Sequence, residues 1–111
     1  MTLKIDWKNP VIAQEDVLAL RPNDLDEFYA DATDWDKNNL FFVLLNTLHK
    51  YEDLEDAVRA GHLCFLIANY LFVALTPPGS YDLALHYMRK AIMWDPMPEY
   101  EQWYGLMEKG N

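Results

Sequence analysis

The feature that most constrains this chain is a helical run closed at both ends, from Gly79 to Pro96. Within it Tyr81, Leu85, Met88 and Ile92 recur at three- and four-residue spacing, so one stripe of an α-helix is apolar. Ala84 and Ala91 lie two turns apart on one side, where small side chains let a neighbouring helix approach closely. Thr76-Pro-Pro-Gly-Ser80 marks a loop before the run. Pro96 cannot continue a helix and biases Asp95 away from helical geometry.

The rest of the chain carries helical patterns of the same kind. Pro10–Leu20 suits a short helix with Pro10 in its first turn, and Arg21-Pro22 stops it. Asn23 offers a cap for a second helix, Asp24–Ala32, which starts acidic as the helix dipole prefers. Lys37–His49 is the third, with Leu40, Phe41, Leu44, Leu45 and Leu48 as its apolar face and a short break at Lys50-Tyr51. Glu52–Leu75 is the fourth and longest, densely apolar in its second half. Gly61 within it calls for a close helix contact or a kink. Tyr81–Trp94 and Glu99–Lys109 complete the set. No segment alternates like a strand, so the expectation is a single all-α domain of five to six antiparallel helices over residues 1–111.

The run 79–96 resembles the second half of a tetratricopeptide repeat, a family of helical hairpins. The turn residue is Gly79, the aromatic Tyr81, the spaced alanines Ala84 and Ala91, the bulky residue Met88, and Asp95-Pro96 close the helix. Ile67-Ala68 and Leu71 resemble the family's first helix more loosely. Several extra residues around Leu75–Pro78 depart from the usual period of about 34 residues. The resemblance implies a TPR-like hairpin with a capping helix over 62–109, a fragment of a right-handed α–α superhelix. Residues 1–61 show no recognised repeat. It further implies that ligands lie against the first helix of the hairpin, near Phe65, Asn69, Phe72 and Val73. Asn69 would hydrogen-bond a peptide backbone; burial of these residues against the third helix is the competing reading. Phe65 stands where a carboxylate-clamping member of the family has Lys.

Composition excludes other classes. Hydrophobic residues make up 51% of the chain, too many for a disordered one. The longest apolar region, Leu63–Leu75, is interrupted by Asn69 and reads as a core helix rather than a membrane span. A formal net charge of −9 argues against nucleic acid and anionic membrane as partners, and leaves room for a basic protein. One cysteine, Cys64, and no signal-peptide pattern at the start lead to the expectation of a cytoplasmic protein.

Chemistry-bearing clusters are few. Between Pro22 and Asp36 stand Asp24, Asp26, Glu27, Asp31, Asp34 and Asp36 with no base among them. Asp34, Asp36 and Asn38 have the spacing that opens a calcium loop, but Asn39 and Leu45 occupy the positions of its glycine and closing Glu. The stretch reads as a solvated acidic face or as a docking patch in which Asp24, Asp26 and Asp31 meet a basic partner. His62 and Cys64 point to different helix faces, and Cys64 among Leu63, Phe65 and Leu66 reads as a buried thiol. Tyr100, Trp103 and Tyr104 share one face of the last helix, packed on the fifth helix or exposed as an interface patch.

No phosphate loop, metal-ligand spacing or serine-nucleophile motif is present, so the expectation is a non-enzymatic protein without cofactor or metal. The leading reading is a protein–protein interaction module, a small adaptor or chaperone-like protein that binds a protein or peptide. Self-association into a homodimer through Trp103, Tyr104 or the groove is a further expectation. The alternative is an acidic immunity- or antitoxin-like inhibitor masking a basic site.

Overall fold

A computed structural model describes residues 2–110. The elements are α1 (Gln14–Val17), α2 (Pro22–Asp31), α3 (Asp34–Asp53), α4 (Ala57–Asn69), a π-helical turn (Tyr70–Ala74), α5 (Ser80–Trp94) and α6 (Pro98–Glu108). No strand forms among the described residues, and the fold is all-α.

Helix α4 sits at the centre, with every residue from Ala60 to Leu71 buried. It packs most extensively on α5 and then on α3, while α6 lies against α5. The stretch Ala57–Ala74 is long and apolar enough to cross a membrane, but 67% of it is buried inside the fold, which makes it a core helix. At Gly61 the backbone of α4 lies close against the end of α5. A Cβ there would lie 3.0 Å from Asp95 Cβ and 3.3 Å from the Ala91 carbonyl oxygen. Ala84, Met88 and Ala91 form the buried stripe of α5.

Several helix ends differ from the sequence expectation, each for a local reason. The first helix is one turn, not Pro10–Leu20, because backbone groups before it bond to side chains of α3 and to local turns rather than in a helical ladder. The Pro10 carbonyl accepts from Asn46 Nδ2 at 3.1 Å, and the Ile12 N–H donates to Thr47 Oγ1 at 3.0 Å. Helix α2 starts at Pro22 rather than Asp24: Pro22 takes the first helical position, and Asp24 Oδ2 accepts from the Arg21 N–H at 2.8 Å. Thr33 caps α3 by accepting from the Asp36 N–H at 3.1 Å.

Helix α3 runs through Lys50-Tyr51 and breaks only at 54–56, so the fourth helix begins at Ala57 rather than Glu52. Glu55 takes the left-handed conformation with φ 53°. The Asp56 N–H then reaches back to the Tyr51 carbonyl and the Glu55 N–H to the Glu52 carbonyl, both at 3.0 Å. This is a Schellman stop built without glycine. Asp56 goes on to cap α4 through the Arg59 N–H at 3.2 Å.

Candidate functional site

The chain leaves α-helical winding immediately after Asn69. The Leu75 N–H bonds the Tyr70 carbonyl five residues back at 2.8 Å, and Asn69 stands at the junction. Asn69 Nδ2 donates to the Phe65 carbonyl at 3.1 Å. That bond fixes the amide, because Oδ1 turned toward a carbonyl would be repelled. Among the described residues Oδ1 has no partner, and it is sealed from solvent on a residue only 3% exposed. An unpaired buried acceptor costs about 1–3 kcal/mol.

Asn69 lines a cleft of 360 Å³ between three elements. The start of α2 supplies Arg21, Pro22, Asn23 and Asp26; the π turn supplies Val73; α6 supplies Glu99 and Trp103. An Arg21–Glu99 ion pair joins the two outer walls, and the Arg21 guanidinium lies 5.7 Å over the Phe65 ring. The pair is partly exposed, so it contributes geometry more than stability. The cleft combines an indole, an aliphatic side chain and the Asp26 carboxylate, with Asn69 among its lining residues. That set suits a segment with N–H donors and an apolar side chain.

Of the sequence-stated site residues, Asn69, Val73, Trp103 and Asp26 therefore converge. Others do not. Phe65 is fully buried and is not a groove residue. Its ring packs 5.0 Å from Tyr100 and 6.3 Å from Trp103, beneath the cleft. Phe72 is half-buried against the core and lines none of this wall. Tyr104 is half-buried too, its hydroxyl accepting from Arg89 on α5 at 3.4 Å. The last helix thus turns its aromatics inward, with the Tyr100 ring against Phe65 of α4 and Tyr104 bonded to α5.

The acidic patch is also split. Asp24 is buried and serves the start of α2, so it is not an exposed docking acid. With Glu27, Asp31 and Asp36 it lines a separate 480 Å³ cleft on the opposite side of α2 from Asp26, with Leu3 and Phe28 among its apolar walls. Asp34, Asp36 and Asn38 lie in the first turns of α3, not in a loop. Among the described residues no group of three His, Cys, Asp or Glu is placed to hold a metal ion.

The buried titratable groups are structural. His62 Nε2 lies 2.7 Å from the Leu20 carbonyl, so it carries the proton and donates, and burial holds the ring below its ordinary value of 6.5. Burial pushes the Cys64 thiol up to about 12.

Arg21, Asn23 and Glu99 were missed as site residues from sequence. Arg21 and Glu99 are 78 residues apart, and no local pattern joins them. Comparison of the chain with family models, with curated proteins and with solved structures gives no match.

Proposed function

We propose that this chain is a non-enzymatic protein–protein interaction module, a small adaptor of tetratricopeptide-like build working in the cytoplasm. It binds an extended segment of a partner in the cleft between α2, the α4–π junction and α6. The observation that carries this reading is a cleft with an apolar wall of Trp103 and Val73 and an acceptor edge at Asp26, lined also by Asn69, whose Oδ1 is buried without a partner among the described residues. An apolar side chain of the bound segment rests on Trp103 and Val73, and a backbone N–H reaches Asn69 Oδ1, sealed from solvent in the free chain, as the cleft opens on binding. The energy withheld in the free protein is recovered on binding.

The test is selection of peptides from a random display library on the native chain, followed by affinity measurement for the best binder. Asn69→Leu keeps the side chain's size but removes the acceptor, and Trp103→Ala removes the wall. Each is expected to weaken binding by about tenfold or more. If the selected peptides bind both variants as tightly as the natural chain, the cleft is not the site.

A second reading, an acidic inhibitor of a basic protein, is favoured by the carboxylates around the α2 cleft. It requires Asp31→Asn to weaken binding more than Trp103→Ala does, with steep salt dependence.

A further inference from the structure

Helix α3 is apolar on two sides, and the fold covers only one. Leu40, Leu44 and Leu48 are fully buried in the core. Trp35, Asn39, Phe42 and Asn46 form a different stripe at helical spacing, and its two large apolar members are 59% and 60% exposed. Trp7 stands over this stripe, its ring 4.8 Å from that of Trp35 and nearly perpendicular at 74°. With Pro10 these residues line a cleft of 330 Å³.

Trp7 is presented by a turn. Asp6 Oδ1 accepts the Lys8 N–H, and the Asp6 carbonyl accepts the Asn9 N–H, both at 3.0 Å. The bonds from Asn46 to the Pro10 carbonyl and from Ile12 to Thr47 clamp this segment onto α3. The two indoles are therefore held as a preformed corner in contact with water.

Charge decides the occupant. Trp35 is flanked in sequence by Asp34 and Asp36, and Asp34 is 99% exposed at its side chain. Two bases stand by the rings: Lys8 follows Trp7 in its turn, and Lys37 is 4.0 Å from Asp34 with its ammonium over the Tyr29 ring at 4.5 Å, so the residues flanking the corner are acidic by the balance of Asp6, Asp34 and Asp36 over Lys8 and Lys37. A second copy of a chain with net charge −9 would set like charges against each other here. Indole faces beside carboxylates favour a cation, above all a planar guanidinium.

We infer that the Trp7–Trp35–Phe42 cleft is a second docking surface, and that it takes a basic segment of a partner protein through an arginine or lysine side chain stacked on the indole corner. The surface shares no residue with the Asn69 cleft and stands independently of what binds there.

A hexa-arginine peptide serves as the probe, titrated into the native chain while the indole N–H signals are followed by NMR. The expected result is saturable shifts at Trp7 and Trp35, with Trp94 and Trp103 unmoved. Trp35→Ala and Phe42→Ala leave the net charge unchanged and remove mostly exposed side chains, so the fold persists. Each is expected to weaken hexa-arginine binding by about fivefold. Unchanged affinity in both variants would mean that charge alone binds the probe, and would overturn the inference. So would self-association that sedimentation detects in the natural chain and not in Trp35→Ala, since the occupant would then be a second copy. Equal binding of hexa-glutamate would overturn it as well.

Discussion

Gly61→Ala sets two known effects against each other at one atom. Alanine in a helix interior is favoured over glycine by about 0.5–1 kcal/mol. At Gly61, however, the added methyl meets Asp95 Cβ at 3.0 Å and the Ala91 carbonyl at 3.3 Å. Neither atom belongs to a side-chain end that can rotate away; both are fixed to the backbone where α5 ends. Relief requires α4 and α5 to separate, and overpacking of this kind costs about 1–3 kcal/mol. The net expectation is a loss of about 1 kcal/mol, or about 4–8 °C in Tm. Gly105 provides the internal reference. It lies inside α6 with nothing within 4 Å of an added Cβ, so Gly105→Ala is expected to gain about 0.5–1 kcal/mol. Urea and thermal unfolding of the two variants beside the natural chain measure both. A Gly61→Ala chain as stable as Gly105→Ala would refute the argument that helix approach explains Gly61.

Two further outcomes follow from the buried groups. His62 is held below its ordinary 6.5 by burial, so the unfolded chain takes up the proton first as pH falls. Its contribution is fully present above that value and is lost as pH drops below it. Unfolding free energy measured from about pH 7.5 to about pH 5.5 is therefore expected to fall more steeply for the natural chain than for His62→Gln. Cys64, buried with its thiol pushed up to about 12, is expected to resist thiol reagents in the native state and to label only as the chain unfolds, at the rate read by tryptophan fluorescence.

How much was legible in the sequence depends on the range of the signal. The loop before the fifth helix and the stop at Asp95-Pro96 are written in local spacing, and the structure has them to within a residue; of the stripe read at Tyr81, Leu85, Met88 and Ile92 only Met88 is fully buried, beside Ala84 and Ala91, while Leu85 and Ile92 are half-buried and Tyr81 is exposed. The stop after α3 was not legible, because Glu55 replaces the glycine that normally announces a left-handed residue. The first helix was overread, because the side chains of Asn46 and Thr47, some 35 residues away, take over its backbone bonds. At the site, Asn69, Val73 and Trp103 were readable as individual residues. Their meeting with Arg21 and Asn23 was not, since it depends on how α2 and α6 close over the end of α4.

Asn69 is also where the fold's own demands and a binding role can be separated. Its neighbours Leu66, Ile67, Ala68 and Leu71 are all buried and apolar, and a leucine at 69 would suit that environment without a desolvated acceptor. The hydrogen bond to the Phe65 carbonyl uses only half of the amide. It gives the helix a second bond to a carbonyl one turn back, which adds little to the local structure. What the fold does not use is the other half, and that half belongs to the residue from which the helix changes winding and the cleft opens. Among the described residues the Tyr51 hydroxyl and Arg59 Nε are likewise buried without a partner, whereas the hydroxyl of buried Thr47 is met by the Val43 carbonyl and the Ile12 N–H. The binding comparison of Asn69→Leu with Trp103→Ala decides whether the second half of the amide serves a partner: if Asn69→Leu raises stability and leaves binding unchanged, the unpaired oxygen is a cost of the fold alone.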